Sequence, residues 1–94
     1  MTVATKARRQ AGPRIDLSRT FIRRTNLTGA RLVGADLSKA DCTNAIFRGA
    51  DFKDAVLEGT ILKGADLSGA LNLTREQLQR AIIDENTVLP EKLR

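Results

Sequence analysis

The stretch ADLSKADCTNAIFRGADFKDAVLEGTILKGADLSGA, residues 35–70, repeats one pattern every five positions. A small residue stands first in each block and, Cys42 apart, a large apolar one third: Ala35 and Leu37, Ala40 and Cys42, Ala45 and Phe47, Ala50 and Phe52, Ala55 and Leu57, Thr60 and Leu62, Ala65 and Leu67. Upstream the beat continues through IDLSR, TFIRR, TNLTG and ARLVG, residues 15–34. Downstream it falters in ALNLT, residues 70–74, where Asn72 takes the centre. A fixed short period signals a solenoid, because each unit has too little apolar surface to fold alone and is stabilised by stacking on its neighbours.

Residues two apart in an extended segment point to the same side, so the first and third residues of each block face inward. One small and one large inward residue per block can fill a narrow core without voids. A helix needs spacings of three and four, and a spacing of five places no continuous stripe on one. Gly29, Gly34, Gly49, Gly59, Gly64 and Gly69 all fall fifth, where the block must turn and a residue without Cβ turns most cheaply.

Blocks such as Ala35-Asp36-Leu37-Ser38-Lys39, Ala50-Asp51-Phe52-Lys53-Asp54 and Ala65-Asp66-Leu67-Ser68-Gly69 resemble the pentapeptide repeat, over about 60 of the 94 residues. The resemblance implies an all-β solenoid, a right-handed quadrilateral β-helix with four blocks to a coil. Twelve blocks then make three coils, 15–34, 35–54 and 55–74. Stacking at twenty-residue intervals predicts columns of Leu17, Leu37 and Leu57; of Ile22, Cys42 and Leu62; of Leu27, Phe47 and Leu67; and of Leu32 with Phe52. At a ladder spacing of roughly 4.8 Å such a stack is about 14 Å tall, so end effects are large.

After the repeat, Thr74-Arg75-Glu76-Gln77 fits a capping box. Leu78, Ala81 and Ile82 recur at helical spacing, which predicts a short C-terminal capping α-helix from Arg75 to Ile83. Asp84-Glu85-Asn86 reads as a turn, and Val88, Leu89, Pro90 and Leu93 offer further apolar cover. Tails of this kind, with QL near the helix start and T-x-LP after it, follow such repeats in the family. The expected organisation is a flexible basic N-terminal arm at 1–14, the β-helix at 15–74, and the capping helix and tail at 75–94.

The sequence offers little to an enzyme. It has no histidine, and its glycines follow the five-residue corner instead of any phosphate-cradling spacing. Cys42 is the one cysteine and falls at an inward position, which suits a small buried apolar group. Asp36, Asp41, Asp51 and Asp66 are expected on different faces, so no metal site and no cofactor are expected. Asp51 and Asp54, in one block, read as solvated. No signal peptide or membrane-length apolar run is read, and a bacterial, cytoplasmic setting is expected.

Lys6, Arg8, Arg9 and Arg14, with no acidic residue among the first 14, carry +4 of the net charge of +5. The repeat itself is nearly neutral. Phe21, Arg23 and Arg24 are expected on one face, with Ile61 and Lys63 two coils along it, and aromatic and arginine residues are those that most often anchor protein interfaces. The leading expectation is a non-catalytic protein-interaction or scaffold module with a protein partner. One alternative is DNA mimicry directed at gyrase, which some members of the family perform; this chain departs from it in being short and net basic. Another is a nucleic-acid tether through the basic arm. A homodimer through the exposed N-terminal coil edge, Ile15 to Leu32, is a further expectation.

Overall fold

A five-residue block that spends two residues on a corner leaves only one residue whose N–H and C=O both point along the stack. The computed structural model, which describes residues 14–94, shows this consequence directly. Pairing consists of single-residue parallel bridges in four columns: Asp16, Asp36 and Val56; Phe21, Asp41, Ile61 and Ile82; Asn26, Ile46, Asp66 and Val88; Arg31, Asp51 and Leu71. Up to Leu71 every bridge joins residues twenty apart, so the stretches 15–34, 35–54 and 55–74 lie one above another as layers. Within a column the bonding alternates. The Asp36 N–H donates to the Ile15 carbonyl at 2.9 Å, and the Asp36 carbonyl accepts from the Leu17 N–H at 2.8 Å.

Corners form where the first residue of a block donates back to the third residue of the one before, as Ala40 N–H does to the Leu37 carbonyl at 3.0 Å. Fifth-position residues have positive φ whether or not they are glycine: Arg19, Arg24, Lys39, Asn44 and Asp54 join the six glycines there. Side chains reinforce the bend, since a second-position Asp or Asn accepts from the fourth residue. Asp36 Oδ1 takes the Ser38 N–H at 2.9 Å and its hydroxyl at 2.6 Å, and Asn26 does the same with Thr28. This explains the D-x-S and N-x-T spacing by local turn chemistry.

Left-handed backbone costs a residue bearing Cβ about 1–2 kcal/mol. Gly29 (φ +72°) faces open space, so Gly29→Ala is expected to cost only that amount. Gly64 (φ +69°) lies against the Asn44 side-chain amide, which an added Cβ would have to displace. Gly64→Ala is therefore expected to destabilise more than Gly29→Ala, a ranking that paired urea melts would read.

The core is built as the periodicity predicts in the second and third layers. Ala35, Ala40, Ala45, Ala50, Leu37, Cys42, Phe47, Phe52, Leu57, Leu62 and Leu67 are buried, and the rings of Phe47 and Phe52 meet edge to face at 5.3 Å. Thr60 replaces alanine on the inner row, and its hydroxyl donates to the Leu37 carbonyl at 2.7 Å. The first layer departs from expectation. Leu17, Ile22 and Leu27 are only partly buried and Ile15 is exposed, because no described layer covers that side.

Helix α1 spans Arg75–Arg80, not Arg75 to Ile83 as its apolar spacing suggests. The helix stops because the layer beneath needs partners: Gly59 N–H donates to the Arg80 carbonyl, and Ile82 exchanges bonds with Thr60 and Leu62 at 2.8 and 2.7 Å. Ile82 is thus a bridge residue over Ile61 and no part of a helix. The expected capping box is present, with Thr74 N–H donating to Gln77 Oε1 at 2.8 Å and Gln77 N–H to Thr74 Oγ1 at 3.1 Å. Gln77 Nε2 also reaches the carbonyls of Phe52 and Ala55, both at 2.9 Å. Val88 and the Asp84 carboxylate take the N–H groups of Leu67 and Gly64, and Leu89 and Leu93 pack on the core.

Candidate interaction face and basic end

The second column carries the face singled out in the sequence. Phe21 stands at its N-terminal end, 84% exposed, the largest exposure among the big apolar side chains of the described residues. Arg23 is on the same face, and its Nε donates to Asp41 Oδ2 at 2.8 Å. Ile61 lies in line with Phe21 but two layers away and half-buried, with Asp41 between them and Ile82 beyond. Lys63 is exposed beside Ile61, and Arg24 forms the corner that leaves the face at φ +57°. Phe21, Arg23 and Arg24 are thereby brought together, and Ile61 with Lys63 forms a separate group. Asp41, named in the sequence only as one of four carboxylates on different faces, divides them, as the twenty-residue frame requires.

Asp41 is the one acidic side chain of this column. Its carboxylate is held below the usual range by the Thr43 hydroxyl first and by Arg23, against the opposing effect of burial. Asp66 is a stronger case: the hydrogen bond from Arg48 Nε, 2.7 Å long, holds its carboxyl down to about 2. A folded-state value below the ordinary 3.8 means that this contribution to stability is present above the unfolded value and lost as pH falls through about 2. Asp66→Asn is accordingly expected to flatten the fall in stability from about pH 4 to about pH 2, measured by urea melts across that window.

The other carboxylates differ from expectation in one respect. Asp36, Asp41, Asp51 and Asp66 do stand in four different columns. Asp51, however, is not simply solvated: it accepts from Asn72 Nδ2 at 2.9 Å and from the Lys53 N–H, because Asn72 turns left-handed (φ +59°) where the repeat ends. Asp54 is exposed. Cys42 is buried, and burial, with the nearby Asp41 charge, pushes its thiol up to about 12, far from the thiolate a nucleophile requires.

Charge is distributed along the stack in a way the segment totals conceal. Residues 14–34 hold Arg14, Arg19, Arg23, Arg24 and Arg31 against Asp16 alone, a net +4. Residues 35–54 and 55–74 each sum to −1, and 75–94 to zero. Among the described residues, then, the excess positive charge sits at the open end of the solenoid. Arg14 is exposed and lays its side chain over Gly34; Lys6, Arg8 and Arg9 lie outside the described residues. At the far end an apolar hollow of about 590 Å³ is lined by Leu78, Ile82, Ile83, Leu89, Leu93 and Arg75, among other residues. Among the described residues no helix is long and apolar enough to cross a membrane.

A four-sided stack of five-residue blocks with a polar exterior defines a short-repeat solenoid. The profile of the family Pentapeptide repeats matches residues 14–41 and 35–71, with eight copies, and the chain belongs to that family, whose members form right-handed β-helices and are generally non-catalytic. A crystal structure of the pentapeptide repeat protein Rfr23 from the cyanobacterium Cyanothece 51142 is similar over 80% of this chain and 50% of that one, at 30% identity and a TM-score of 0.70. The chain thus spans about half the length of Rfr23. A pentapeptide repeat protein from Nostoc PCC 7120 is 34% identical over 95% of this chain and 85% of its own, with a TM-score of 0.34. No curated protein matches the chain.

Proposed function

We infer that the chain is a three-coil right-handed quadrilateral β-helix, closed at its C-terminal end by α1 and the tail, that works as a non-catalytic protein-binding or scaffold module in a cytoplasmic setting. The observation that carries this reading is Phe21, 84% exposed on a rigid coil and flanked by Arg23 and Arg24. A large exposed aromatic beside arginines costs solubility and contributes nothing to the core, whereas it is the composition of an interface anchor. The scaffold suits the task because side chains on a bridged ladder are held in fixed relative positions. Capture from the source lysate tests the reading, comparing the full chain with one lacking residues 1–14. A specific partner held by both supports recognition by the coil; no specific partner from either contradicts it.

The DNA-mimic alternative is disfavoured by electrostatics. A mimic must present carboxylates, while the first coil is basic and Asp41 and Asp66 are neutralised by Arg23 and Arg48.

A further inference from the structure

We propose that the open end of the first coil is a docking edge for an acidic, extended polypeptide segment, which pairs with the backbone of Phe21 and places carboxylates on Arg19 and Arg24. This rests on the reading of the chain as a protein-binding module and names the chemistry and mode of binding.

Each second-position residue of the lower coils spends its N–H and C=O on the coil before it, as Asp41 does with Thr20 and Ile22 at 2.8 Å each. Asp16, Phe21, Asn26 and Arg31 occupy the same position in the first coil, and none of their backbone N–H or C=O groups bonds another described residue. Among the described residues these four donors and four acceptors stay unpaired on one rim, a template for an added strand.

Charge selects the occupant. Arg19 and Arg24 form the corners on either side of Phe21, are exposed, and make no ion pair with any described residue. Residues 1–13 contain no Asp or Glu. Both arginines also hold left-handed backbone, φ +59° and +57°, where six other corners use glycine. A second copy docked end to end would set +4 against +4 across the rim, an arrangement that like-charge repulsion opposes. A phosphodiester backbone supplies acceptors for the arginines but no donor for the Phe21 carbonyl. A polypeptide supplies both, and carboxylates two to three residues either side of its pairing residue would reach the two corners.

The test is an amide-resolved NMR titration of the isotope-labelled full chain with the peptide EEVTVEE, acetylated and amidated. The expected result is a shift of the Phe21 amide with its neighbours on the rim, lost when the valine after the threonine is N-methylated, since its N–H meets the Phe21 carbonyl as the Ile22 N–H meets that of Asp41, and absent with KKVTVKK. Arg19→Gly/Arg24→Gly removes both charges while suiting the left-handed corners, so the fold and thermal midpoint should be kept and the peptide bound about tenfold or more weakly. No rim shift at millimolar peptide, indifference to the double substitution, tighter binding of a ten-residue oligothymidylate, or a dimer whose Phe21 amide is already protected would each overturn the proposal. A lysate partner held equally by the wild type and the double variant would do the same while leaving the interaction-module reading intact.

Discussion

Phe47→Ala is expected to lower the free energy of unfolding by about 3–5 kcal/mol, the range for truncating a fully buried phenylalanine. Phe47 is fully buried in the column formed with Leu27 and Leu67, and it supports Phe52 through the edge contact at 5.3 Å. Collapse cannot fill the void. The backbone on both sides is fixed by the bridges of Asn26, Ile46 and Asp66, so the layers cannot approach one another. For a domain of ordinary stability, roughly 5–15 kcal/mol, this is a third or more of the total. Leu27→Ala removes a residue of the same column at the partly buried first layer, and a markedly smaller loss is expected there. Urea melts of both variants read the difference, and equal losses would show that the solenoid core does not deepen away from its open end.

Gln77→Ala is expected to cost about 2–3 kcal/mol although Gln77 is a polar residue on a six-residue helix. Its amide nitrogen serves the carbonyls of Phe52 and Ala55, and its amide oxygen serves the Thr74 N–H. Alanine leaves all three without that partner at the closing end of the core. Gln77→Glu retains the acceptor for Thr74 but turns a carboxylate toward two carbonyls, so it should be no better than alanine. The neighbouring Glu76 is exposed, and Glu76→Ala should fall within about 0.5 kcal/mol of wild type. Amide exchange gives an independent readout: Gly59, which donates to Arg80 at the end of the same helix, should lose protection in the Gln77 variants. Unchanged protection would mean that α1 does not act as a lid on the third coil.

The five-residue period made the columns legible because it arises from two local demands, an inward pair and a corner, which every block must meet. Ala35 to Leu67 meet both, and their burial follows the sequence closely. Where local and long-range demands diverge, the sequence is a poorer guide. Leu78, Ala81 and Ile82 have helical spacing, yet the unpaired Thr60 and Leu62 backbone draws Ile82 into a bridge. Asn72 has the composition of a turn residue, but its left-handed backbone and its bond to Asp51 depend on where the repeat stops. For the candidate site, Phe21 was legible as an outward apolar residue among arginines. The separation of Phe21 from Ile61 by Asp41, and the concentration of arginine at one end, were in the sequence too. The first becomes visible when residues are stacked at twenty-residue intervals, and the second when charges are summed over each twenty-residue layer instead of over whole segments.

The most direct measurement is quantitative partner capture from the source lysate with the wild-type chain and with Phe21→Ala. Because Phe21 is 84% exposed and outside the core, the substitution should leave the thermal midpoint unchanged. The account predicts that a specific partner is recovered with the wild type and is strongly depleted with Phe21→Ala. Recovery of the same partner in equal amount by both would contradict recognition through this face.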